Sequence, residues 1–114
     1  MCLAIAIHKE ARGETVKGQK AIAEVIHNRS KSGKFPDTYC DVVKQKGQFS
    51  WYKNQNSLKP PKNDESWDAS LKVAKDFYTN KTNYTKGALF FNHNRLGVRF
   101  GQTFKCKIGN HTFF

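Results

Sequence analysis

No apolar run in these 114 residues is long enough to cross a bilayer as a helix, so membrane insertion is not expected. Low-complexity tracts and internal repeats are also missing, and aromatic residues reach 13%, which argues against disorder. The three cysteines, Cys2, Cys40 and Cys106, lack CxxC spacing. A zinc site is therefore not expected, nor any other metal or cofactor. None of the three sits in a nucleophile context. Three buried thiols are the default for a chain made in cytoplasm, with one disulfide and one free thiol the alternative in an oxidising compartment. The N-terminus is apolar for six residues only, without a preceding basic region, and then meets His8, Lys9 and Glu10. That pattern is expected of neither a signal peptide nor an anchor.

Acidic residues are scarce as well: 9 against 20 Lys and Arg, a net charge of +11. Such a surplus draws a protein to polyanions, among them nucleic acid, anionic cell-wall polymers and lipopolysaccharide. The lysines are scattered rather than gathered on one helix, and no zinc finger, basic zipper or RNP motif is present, so a dedicated nucleic-acid module is not favoured. A basic binding module without catalysis remains the rival from another class.

The length fits one domain, here residues 1–114, expected as a monomer. Helices are expected over about Cys2 to Ala11, stopped by Gly13, and about Val16 to Ser30. On the second, Ala21, Ile22, Val25, Ile26 and Arg29 form the core face, with Lys20, Glu24 and His27 toward solvent. Asp37 or Thr38 caps a short helix through Val42 and Val43 to Gln45. Gly47 to Asp64 reads as a long polar loop, of the kind that usually carries function. Ser66 to Tyr78 returns to helix, with Trp67, Leu71, Ala74, Phe77 and Tyr78 inward. From Gly87 the chain turns β-like, at Ala88 to Asn92, Val98 to Phe100, Phe104 to Ile108 and His111 to Phe114. Helices first and strands last imply an α+β fold.

The most informative segment is Glu10-Ala11-Arg12-Gly13-Glu14. Leu3, Ala6, Ile7 and Glu10 recur at helical spacing, which puts Glu10 on an apolar stripe. A carboxyl so placed is costly to ionise, keeps its proton toward neutrality and suits a general acid. A salt bridge from Glu10 to Arg12 or a lysine is the bland alternative. Glu14 shares that face only if the helix runs past Gly13; otherwise it orients Arg12, binds substrate or serves as a second carboxylate. Gln48, Ser50 and Trp51 open the long loop with the amide, hydroxyl and aromatic face a carbohydrate groove needs, although Phe49 and Trp51 also fit a loop anchored to the core. Phe91 and Asn92 lie in the first β-like run. His93 and His111 lack a third ligand, so hydrogen-bonded histidines are expected.

Several motifs in register resemble the cell-wall hydrolase family that includes the spore-cortex-lytic enzymes, the SleB/CwlJ type. They are Cys2-Leu3-Ala4, the pentapeptide, Gly18 to Ala23 with Asn28-Arg29, Phe35 to Val43, Gln48 to Trp51, Gly87 to Asn92 and Ile108 to Phe114. The resemblance implies a single lysozyme-like domain related to goose-type lysozymes and lytic transglycosylases, acting on the glycan strands of peptidoglycan. It makes Glu10 the catalytic acid, with Glu14 as second candidate and Gln48, Ser50, Trp51, Phe91, Asn92 and His111 as substrate-binding residues. Cleavage of the β-1,4 bond after N-acetylmuramic acid is expected, by the transglycosylase route to 1,6-anhydro ends or, alternatively, by a lysozyme-type hydrolysis using Glu14. The minimal form resembles a phage lysis enzyme or virion-carried muramidase. Such a protein is made in the host cytoplasm and acts at the cell wall or periplasm.

Overall fold

The computed structural model describes residues 1–62, 64–96 and 101–114. Four helices, α1 (Cys2–Ala11), α2 (Val16–Lys31), α3 (Tyr39–Lys44) and α4 (Glu65–Thr79), precede three short strands. The strands β1 (Phe91–His93), β2 (Cys106–Ile108) and β3 (His111–Phe113) form an antiparallel sheet in the order β1-β3-β2. Thr112 on the central strand faces Asn92 on one side and Lys107 on the other. The fold is α+β, as the sequence implies. The expected strand at Val98 to Phe100 lies outside the described residues.

Helix α1 is the centre of the molecule. Leu3, Ala4, Ile5, Ala6 and Ile7 are each at most 1% exposed, and the helix packs against α2, α3 and α4. A helix apolar on every side is stable only inside a protein. Burial is therefore broader than the single stripe read from the sequence. It ends where the chain must surface: Arg12 leaves helical geometry and Gly13 takes φ +89°, a conformation that glycine adopts without steric cost. Thr15 then caps α2, its hydroxyl accepting from the Gly18 amide at 3.1 Å. Glu10 thus ends one helix and Glu14 lies in the link to the next.

On α2 the expected core face is buried, but Glu24, expected in solvent, is buried as well. It is 1% exposed, and its carboxylate accepts four hydrogen bonds of 2.5 to 2.9 Å, from Thr82 Oγ1, the Tyr84 amide, and the Thr85 amide and hydroxyl. Further along the helix, Asn28 donates to Ala88 O at 2.9 Å and Arg29 Nε to Leu89 O at 2.7 Å. Helical phase shows which way Glu24 points; it cannot show that a polar segment from sixty residues away arrives to cover it. His27, also expected outside, is half-buried and bonded to the Tyr39 hydroxyl at 2.7 Å.

Tyr78 corrects the reading of α4: it is 47% exposed, and Ser70 and Val73 are buried on the face instead. The helix begins at Asp64, which accepts from the Trp67 amide at 2.8 Å. Within the long loop, Gln55–Leu58 forms a 3-10 turn capped by Asn54, and Phe49 is buried in the core.

Cys2 and Cys40 form a disulfide between the start of α1 and α3, so the expectation of three free thiols is overturned. The cause is tertiary. Thr38 starts α3 where it lies against α1, which brings the two Cα atoms to 5.2 Å. Cys106 remains a half-buried thiol. Closing a loop of 38 residues restricts the unfolded chain by about 2–4 kcal/mol. Thermal melts with and without reductant test this, with a lower Tm expected on reduction; coincident melts would show that the bond contributes nothing.

Candidate active site

A cleft of about 350 Å³ opens between the end of α1 and the sheet. Lys9 and Glu10 line it from α1, Ser50 from the long loop, Phe91, Asn92 and His93 from β1, Arg95 and Leu96 from the 3-10 turn after β1, and His111 from β3. Of these residues Glu10 is the one carboxylate. Four of the substrate-binding candidates, Ser50, Phe91, Asn92 and His111, are thereby brought together with it.

Glu10 is half-buried, and burial pushes its carboxyl above the ordinary range. Two groups oppose the push: the Trp51 indole N–H, which donates to Glu10 Oε2 at 2.8 Å, and the positive charge of Arg29. The polar edge of Trp51 is thus engaged with Glu10, a contact that the sequence reading of this residue did not include. Its ring packs on buried Phe49, with centroids 5.7 Å apart, and Phe49 on Phe91 at 6.3 Å. Gln48 is exposed and is not among the residues lining the cleft. Its amide closes a turn onto Gln45 O at 3.2 Å, which turns the chain into the loop.

Glu14 is engaged elsewhere. Its Oε1 accepts from the Asn110 amide at 3.0 Å and its Oε2 from the Asn110 side chain at 2.9 Å. Burial would raise this carboxyl, but the two Asn110 bonds, with the nearby His111 and His93, hold it below the usual range. The contact fixes the turn between β2 and β3. A Cβ at Gly109, where φ is +57°, would push the Glu14 carboxylate off Asn110, so glycine suits the turn for both reasons. Asn94 completes the brace: its amide donates to Asn110 O at 2.8 Å, its side chain to Gly109 O at 3.1 Å, and it accepts from Thr112 Oγ1 at 2.6 Å.

His111 stands between this brace and the cleft. It is 5% exposed and packs against Phe91 and His93, at 5.6 and 5.7 Å between centroids. Burial lowers its pKa more than Glu14 raises it, so the ring is neutral near pH 7. Its Nδ1 is buried without a hydrogen-bond partner among the described residues. No group of three or more His, Cys, Asp or Glu among them is arranged to hold a metal ion.

The sequence reading passed over Asn94, Asn110, Lys9, Arg95 and Leu96 as site residues. A signal existed for Asn110: Gly109-Asn110 between two β-like runs marks a tight hairpin. The others are set by tertiary approach alone.

A half-buried carboxyl at one wall of a polar cleft is the arrangement a general acid requires. Comparison with known proteins places the chain among cell-wall enzymes. The chain is similar over 98% of its length to the catalytic domain of the germination-specific lytic transglycosylase SleB from Bacillus anthracis, with a TM-score of 0.75, 28% identity and 89% of that chain covered. The SleB catalytic domain from Bacillus cereus gives 0.74 and 28%, over 97% of this chain and 84% of that one. A spore cortex-lytic enzyme from Oceanobacillus iheyensis is 51% identical over 41 residues, which are 36% of this chain and only 15% of that protein. A family model described as Cell Wall Hydrolase matches residues 13–114, beginning three positions after Glu10. By sequence over most of its length, and by fold over nearly all of it, this chain belongs to the cell wall hydrolase family.

Proposed function

We propose that the domain is a peptidoglycan lytic transglycosylase that cleaves the β-1,4 bond between N-acetylmuramic acid and N-acetylglucosamine with Glu10 as its single catalytic carboxylate. The observation that carries this reading is the occupation of Glu14: both its oxygens are bonded to Asn110, and among the described residues Glu10 alone offers a carboxyl to the cleft.

In this reaction Glu10, whose burial favours its protonated form, gives its proton to the bridging oxygen as the C1–O4 bond breaks and oxocarbenium character develops at C1. Trp51 holds Oε2, so Oε1 carries the proton. The carboxylate left behind then takes the proton of the muramoyl 6-hydroxyl, whose oxygen closes on C1 to form the 1,6-anhydro ring. Glu10 ends protonated as it began, and no water is consumed. Asn92, His93 and Ser50 are the polar groups available to sugar hydroxyls and acetamido groups, and Phe91 supplies an apolar surface. The +11 charge favours approach to anionic wall polymers, in keeping with a bacteriolytic role of the phage-lysis kind.

Mass spectrometry of digested peptidoglycan tests the route: 1,6-anhydromuramic ends are expected, and reducing muramic ends without anhydro product would overturn it. The competing lysozyme-type hydrolysis needs Glu14 as base or nucleophile. Glu14→Gln discriminates, because removing a true catalytic base costs about 10²–10⁴-fold in rate. A loss below about tenfold is expected here, from a loosened Asn110 brace only. A loss of a hundredfold or more in a folded variant would favour hydrolysis.

A further inference from the structure

Arg29 lies in the last turns of α2 and is 3% exposed. Its Nε donates to Leu89 O, and its guanidinium carbon sits 5.0 Å from the centroid of Phe35, 5.4 Å from Phe90 and 5.6 Å from Phe49. Removing a cation from water carries a desolvation cost. A methionine or leucine would fill the same cage without it. The position of the cage suggests what the charge is for. Phe49 packs against both the guanidinium and the Trp51 ring, and Trp51 holds Glu10.

We propose that Arg29 is the positioning residue of the catalytic acid: through Phe49 it seats the Trp51 ring that donates to Glu10, and its fixed charge stabilises the Glu10 carboxylate once the proton has left. This rests on the reading of Glu10 as the acid. A transglycosylase acid has two opposed needs. It must hold a proton when substrate arrives, which burial secures, and it must part with that proton during turnover, which burial alone hinders. A guanidinium cannot titrate away and acts over several ångströms in a water-poor interior, so it relieves the second need at every working pH. The other charged and titratable groups lining the cleft are Lys9 on α1, His93 on β1, Arg95 after β1 and His111 on β3. The Arg29 charge works against the push of burial on the Glu10 carboxyl.

The test is the pH profile of wall clearing by purified protein, with folding followed by circular dichroism. In wild type, activity falls as pH rises through the ionisation of Glu10. Arg29→Met removes the charge, so the alkaline limb is expected to move up by about half a pH unit or more, with a lower maximum rate. Arg29→Lys keeps the charge and is expected to leave the limb in place. A folded Arg29→Met with an unmoved limb would overturn the electrostatic role, since a purely structural residue changes the rate and not the limb. Phe49→Leu removes the bridging ring but not the charge; a rate about tenfold lower with an unmoved limb is expected. Wild-type clearing by Phe49→Leu would overturn the seating role even if Arg29→Met failed to fold. Activity surviving in Glu10→Gln is a separate outcome, which sinks the assignment of the acid itself.

Discussion

Glu10→Gln is expected to lower the clearing of purified peptidoglycan by about a thousandfold while leaving the fold intact, the size of effect that follows loss of a positioned general acid. The glutamine side chain still offers an oxygen to the Trp51 indole, so the geometry around position 10 survives and only the proton is lost. The same substitution carries an unusual stability signature. Because burial raises the Glu10 carboxyl, the folded chain binds that proton more tightly than the unfolded one. Stability therefore declines as pH climbs from the ordinary carboxylate range through the folded value. Glutamine has no such penalty. At neutral pH the variant is expected to melt at or above the wild-type temperature, and the difference should close at acid pH, where both side chains are neutral. Turbidity assays and melts at two pH values measure both effects. A variant retaining a tenth of wild-type activity, or one less stable than wild type at neutral pH, would contradict this account of the site.

The second large effect belongs to a residue far from the chemistry. Glu24→Ala is expected to cost about 3–5 kcal/mol, because it leaves two threonine hydroxyls and two backbone amides without their acceptor and opens a hole where the carboxylate stood. Those donors belong to the segment that runs through Ala88 and Leu89 into β1, which forms a wall of the cleft. Activity should fall along with stability and recover partly on cooling. Chemical denaturation measures the loss; a change below about 1 kcal/mol would show that the segment is held by other means.

What the sequence made readable follows from how local each signal is. The helix boundaries are nearly all visible, because Gly13, Thr15, Thr38 and Asp64 punctuate the chain by their own backbone and side-chain chemistry. Periodicity located Glu10, since the apolar spacing leads directly to it. The same periodicity misplaced Glu24 and Tyr78, whose surroundings are decided by loops and helices distant in sequence. The site was half legible for a related reason. Ser50, Phe91, Asn92 and His111 stand in motifs of aromatic and polar residues, and the fold gathers them. The indole bond to Glu10 and the engagement of Glu14 by Asn110 join residues 41 and 96 positions apart, and no local pattern encodes either. Glu14 illustrates the difficulty well: its residue type and its neighbours suit catalysis, and only the geometry turns it into a brace.

That brace also limits how the sequence can drift. The space a Cβ would need at position 109 is filled by the carboxylate from position 14, so a side chain there has to displace that carboxylate. A shorter side chain at 14 would open room at 109 for a residue such as asparagine, which tolerates the left-handed backbone there. In the reverse order the Glu14 carboxylate has to swing off Asn110, so a side chain at 109 is admitted at the cost of the brace rather than of the fold.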